Sequence, residues 1–156
     1  MAKLISPATT IVLKPQTRET PASNWIETIV GIEFHVQEEK LYLELPPKEV
    51  SIKIEEFEAF IHKFREYIAD LPIAPNSIIT TVKTCYFLPL EARFSIESSS
   101  GYYMSEKRDM GKLAIGFNMS LTPIDISYGG IGCDFSIEIS EFLGFLDELE
   151  QEVNAL

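Results

Sequence analysis

The chain has 156 residues, 46% hydrophobic and 24% charged, an ordinary globular balance that excludes disorder over most of its length. Its 24 acidic residues against 13 basic leave a net charge of −11, which repels phosphate backbones and argues against a nucleic-acid partner. No run approaches the roughly 18 apolar residues of a membrane span. Pro7, Thr9 and Thr10 interrupt any signal-like apolar run at the start, so the expectation is a soluble cytoplasmic protein. Cys85 and Cys133 form no CxxC pair and read as reduced thiols.

Residues 1–8 read as a loose start, 9–14 (TTIVLK) as a short strand, and the proline-bearing 14–23 (KPQTRETPAS) as an exposed loop. The next strand alternates cleanly: Ile26, Thr28, Val30, Ile32, Phe34 and Val36 on one face, Glu27, Ile29, Gly31, Glu33, His35 and Gln37 on the wetter one. Glu38, Glu39 and Lys40 make a turn into a strand carrying Leu41, Leu43 and Leu45, which Pro46 and Pro47 end. Residues 50–54 form a third strand feeding a helix over about 55–70, opened by Glu55, Glu56 and Glu58 at its positive end. A proline-rich linker, 71–77, separates the halves.

The second half opens with a β-branched run over 78–88. Phe94 and Ile96 then mark a strand, Ser98, Ser99, Ser100 and Gly101 a turn, and 102–106 its return. Over 112–122, Leu113, Ile115, Phe117, Met119 and Leu121 share one face. Gly129-Gly130-Ile131-Gly132 lacks both GxGxxG and the P-loop lysine, and it precedes a strand, so it reads as a turn or bulge.

One segment occurs twice. Residues 50–71 (VSIKIEEFEAFIHKFREYIADL) and 135–156 (FSIEISEFLGFLDELEQEVNAL) align without a gap at an offset of 85. Each switches from strand alternation to a helical stripe: Phe57, Phe60, Ile61, Phe64, Ile68 and Leu71 against Phe142, Phe145, Leu146, Leu149, Val153 and Leu156. The same offset carries the face of 113–121 onto that of 28–36. The expected architecture is a single α+β domain, 1–156, with an antiparallel sheet and two amphipathic helices built from a duplicated strand–strand–strand–helix unit, 26–71 and 111–156.

Motifs for chemistry are absent. The two histidines, His35 and His62, have no cysteine, histidine or carboxylate at zinc spacing, so neither a metal nor a cofactor is expected. Asp147, Glu148, Glu150 and Glu152 read as a solvated helix face rather than an acid/base pair. Trp25, Tyr102, Tyr103 and Tyr128 stand beside expected loops, and Leu143 and Gly144 replace Glu58 and Ala59 of the first helix just off the apolar stripe. Aromatic side chains are enriched in interfaces, which makes Trp25, Tyr102, Tyr103, Tyr128 and Leu143 the candidate binding residues.

The order YFLPLEARFSIE, GKLAIGFNMSLTP, YGGIGCDFSIEIS and EFLGFLDELEQEV in the second half resembles the small acidic immunity proteins of the wall-associated-toxin (WapI) kind. That resemblance implies a bacterial cytosolic protein that binds and blocks a toxin domain, and a basic nuclease partner would suit the acidic charge. The function expected is therefore a non-enzymatic protein-binding module. Its rivals are a small-ligand-binding protein with a pocket between sheet and helices, and an enzyme using Cys85 or Cys133.

Overall fold

The computed structural model describes residues 1–18, 20–45, 50–73, 84–90, 93–120 and 130–156, which hold nine strands and two helices. β1 (Ala2–Ile5), β2 (Thr9–Arg18), β3 (Trp25–Val36), β4 (Glu39–Leu45) and β5 (Ser51–Lys53) precede α1 (Ile54–Ala69). β6 (Cys85–Phe87), β7 (Phe94–Tyr103), β8 (Gly111–Ser120) and β9 (Gly130–Glu138) precede α2 (Ile139–Asn154). The first sheet has the order β1-β2-β3-β4, with β5 also on β3, and the second has the order β6-β7-β8-β9; every pairing is antiparallel. This is a single-domain α+β fold.

Both halves follow the same plan, and it begins further upstream than the sequence match. In each, a first strand pairs with a second, the second with a long central strand, and the central strand with the one that runs into the helix. Both second strands bulge against the central strand: β2 between Pro15 and Thr17, β7 between Glu97 and Ser100. The helices keep the offset of 85 to the residue, but the central strands do not. Ile26 faces Ile52 in the first half, whereas Leu113 faces Ile137 in the second, so the central strand has slid two residues along its neighbour. A slip of two preserves side-chain parity, and Ile26, Thr28, Val30 and Ile32 stay inward like Leu113, Ile115, Phe117 and Met119.

Several sequence expectations need correcting. Residues 1–8 are not a loose start: Ala2 and Leu4 lie fully buried in β1, opposite Leu13 and Ile11. The expected loop after Lys14 is strand as far as Arg18. Pro15 is tolerated because alternate residues of β2 direct their N–H toward β1, and β1 ends at the pair Ala2–Leu13, so no ladder bond is lost there. The hairpin turn sits earlier than expected, with Gln37 at φ 57° and Glu39 and Lys40 already in β4. The expected turn at Ser98–Gly101 is a bulge inside the continuous strand β7, and Gly130 and Gly132 lie in β9, whose register to β8 shows no shift. At Gly101 the neighbours approach closely: a Cβ there would stand 2.8 Å from Leu113 Cδ1, 2.9 Å from Leu71 Cδ1 and 3.0 Å from the Lys112 carbonyl, so a side chain would have to displace two packed leucines.

The helices cross over. α2 lies against β1 and β2 of the first sheet as well as β8 and β9 of its own. α1 meets β6 of the second sheet, where Phe60 and Phe87 have ring centroids 4.6 Å apart and Lys63 Nζ donates to the Tyr86 carbonyl at 2.6 Å. A run of ring contacts passes Phe117, Phe94 and Phe87 of the second sheet, Phe60 and Phe64 of α1, then Phe142 and Phe145 of α2. These phenylalanines belong to one buried cluster that takes in both sheets and both helices. Truncating Phe60 or Phe145 to Ala is expected to cost about 3–5 kcal/mol in chemical denaturation, while Glu148→Ala changes little; an unchanged midpoint for Phe145→Ala would contradict the burial.

Candidate functional site

The structure separates the expected binding residues. Tyr103 is a core residue, 6% exposed, and so does not belong to the candidate surface. The bulge in β7 is the reason: Phe94 and Ile96 point inward before it, and the extra residue turns Gly101 and Tyr103 inward after it, leaving Tyr102 on the outer face. Trp25 opens β3 half-buried, with the Lys53 ammonium 4.9 Å from its ring centroid. Leu143 is partly buried and packs on the core. Tyr128 lies outside the described residues. Trp25 and Tyr102 sit in strands of different sheets, and Leu143 sits on α2.

The outer face of α2 remains a one-sided acidic surface. α2 carries Glu141, Asp147, Glu148, Glu150 and Glu152 and no basic residue. Three of these are engaged: Arg65 of α1 bridges Asp147 at 2.6 Å and Glu150 at 2.8 Å, and the Met1 ammonium contacts Glu152. Beside them runs a groove of about 170 Å³ between the helices, lined by residues including Glu58, Ile61, His62 and Val153. Gly144 sits mid-helix on the exposed side, where an added Cβ would meet nothing within 4 Å. No described neighbour requires a glycine there.

A second polar cluster escaped the sequence reading. On the outer face of the first sheet, Glu33 Oε1 accepts from His35 Nε2 at 2.8 Å and from Lys40 Nζ at 2.9 Å. These bonds, with Lys40 foremost, hold the Glu33 carboxyl below its ordinary range. Tyr42 lies over Gly31 and donates to Glu44 at 2.6 Å; burial first, and then that bond, push its phenol up. The signal was present in the odd-numbered face of β3 and in Lys40, directly opposite His35 across the hairpin.

The cluster includes a threonine, a histidine and a glutamate, but not in a catalytic order. Thr10 Oγ1 and Glu33 both approach His35 Nε2, the former at 3.4 Å, while Nδ1 faces the Pro7 carbonyl. A hydroxyl–imidazole–carboxylate relay needs the carboxylate on the opposite ring nitrogen. Here it occupies the nitrogen that would have to take the hydroxyl proton.

In comparisons with known proteins, no family model, no curated protein and no solved structure matches the chain. Among the described residues, no group of side chains is arranged to hold a metal ion, and no helix is long and apolar enough to cross a membrane.

Gly144→Ala should raise stability by about 0.5–1 kcal/mol in denaturant, since glycine is a poor helix former and the position is open; a loss of stability would show that the glycine has an internal role. Burial pushes both the Cys85 and Cys133 thiols up to about 11. Folding therefore favours the protonated thiol: this contribution to stability is complete below the ordinary thiol range and is lost as pH climbs toward about 11. Alkylation near neutral pH should be slow in the folded protein and fast in denaturant, and rapid labelling of the folded chain would contradict this.

Proposed function

We propose that this chain is a non-enzymatic binding module that recognises a positively charged protein surface, with the exposed face of α2 as its contact. The observation that carries this reading is the composition of that face: of the five carboxylates of α2, Glu141 and Glu148 have no cation against them among the described residues, and an open glycine stands between them. Glu141 and Glu148 flank Gly144 on the same side of the helix. A residue without a side chain lets an incoming backbone approach closely, at a cost to helix stability that no described neighbour offsets. A basic toxin domain is the partner class that the immunity-protein resemblance implies, and a cytoplasmic location suits two unpaired thiols.

The rival readings fit less well. Among the described residues, buried phenylalanines occupy the region between sheets and helices where such a ligand would have to sit. A cysteine nucleophile would need a lowered thiol pKa, and both thiols are raised.

The test is capture of partners from the source organism, followed by association kinetics with the captured protein. A basic protein is expected, with an on-rate that falls as salt rises and falls again for Glu141→Lys/Glu148→Lys. A salt-insensitive on-rate would overturn the reading, as would a small molecule that co-purifies in place of any protein.

A further inference from the structure

β4 is an edge strand whose outward side no described strand covers. Its hydrogen-bonding phase is fixed by its neighbours. The His35 N–H bonds to the Ala8 carbonyl on the β2 side, and the Thr28 N–H to the Val50 carbonyl on the β5 side. Odd residues of β3 thus bond toward β2, and even ones toward β4 and β5. Val30, Ile32 and Phe34 accordingly bond Leu45, Leu43 and Leu41. The N–H and C=O groups of Lys40, Tyr42 and Glu44 are left pointing away from the sheet.

Three exposed apolar side chains stand at the same edge. Leu41 is 56% exposed, Tyr42 45% and Val36, just before the hairpin turn, 62%. Natural sheets usually guard such an edge, because a row of unpaired backbone groups is a template for another strand.

We propose that β4 pairs antiparallel with β4 of a second copy, across a twofold axis at Tyr42. The sequence Glu39–Leu45 (EKLYLEL) matches itself in that register. Tyr42 faces Tyr42, Leu41 faces Leu43, and Lys40 faces Glu44 twice. Lys40, Tyr42 and Glu44 are the residues with free edge groups, so all three become hydrogen-bonded pairs. Lys40 and Glu44 lie together on the outer face, and Leu41 and Leu43 on the inner one. Lys40 already bonds Glu33, and Glu44 already bonds Tyr42, yet an ammonium has three donors and a carboxylate about four acceptor positions. The other long edge strand, β9, does not match itself in the same way: full antiparallel overlap would set Asp134 against Asp134.

The experiment is molar mass by light scattering and sedimentation from micromolar to near-millimolar concentration. The native chain should dimerise, and exchange of the Tyr42 amide should slow as the dimer forms. Glu44→Lys sets Lys40 against a lysine twice and should weaken the dimer by roughly tenfold or more, with circular dichroism unchanged. Lys40→Glu should do the same alone, and mixing the two variants should recover a dimer, because both opposite-charge pairs are then restored. A monomer at every concentration would overturn the proposal. So would a dimer indifferent to Glu44→Lys, or a pair of variants that stays monomeric on mixing. A foreign strand captured on β4 while the native chain remains monomeric would also reject self-pairing.

Discussion

The packing of each helix against the opposite sheet is the constraint on which the rest of this molecule depends. An amphipathic helix that follows a strand ordinarily folds back onto the sheet that strand belongs to. Here each helix touches both sheets: α1 meets β5 of its own sheet and β6 of the second, and α2 lies on β1 and β2 of the first as well as on β8 and β9 of its own. The aromatic run from Phe117 to Phe145 passes through this crossing, with Phe64 and Phe142 5.3 Å apart between the helices. The two halves therefore share one core. The ties outside the core follow the same crossing: Arg65 to Asp147 and Glu150, the Met1 amino group to Glu152, and Arg108 of the second half to the Ala69 carbonyl at the end of α1.

The sequence revealed those features that depend on period alone. The helical stripes of α1 and α2 and the alternation of β3 and β8 could be read because one face of each is buried and the other wet. Period says which face is covered, not what covers it, so the crossing of the helices left no mark. The bulges were hidden for a related reason. One inserted residue reverses inward and outward, and the serines around Ser98 looked like a turn while they absorb that insertion within β7. Tyr103 was lost as a surface residue and Tyr102 kept by that single reversal. β1 was missed because only Ala2 and Leu4 carry its inward face, too short a pattern to register.

Candidate surfaces were legible to differing degrees. The acidic face of α2 needed only the helical wheel, and its partial neutralisation by Arg65 needed the fold. The Glu33, His35 and Lys40 cluster depended on pairing across a hairpin, which fixes which outward residues meet. The open edge of β4 was invisible until its neighbours fixed which backbone groups point away. These surfaces lie on separate elements, so recognition of a basic partner at α2 and self-pairing at β4 make no competing demand on the same residues.

Cooperativity between the halves tests the crossing most directly. The chain has one tryptophan, Trp25 in β3 of the first sheet, while the far-ultraviolet helix signal reports α1 and α2 together. A core shared through crossed helices should unfold in one transition, so Trp25 fluorescence and helix circular dichroism should give the same midpoint and slope in urea. Two separated transitions, with the tryptophan environment lost while half the helix signal persists, would contradict the shared core.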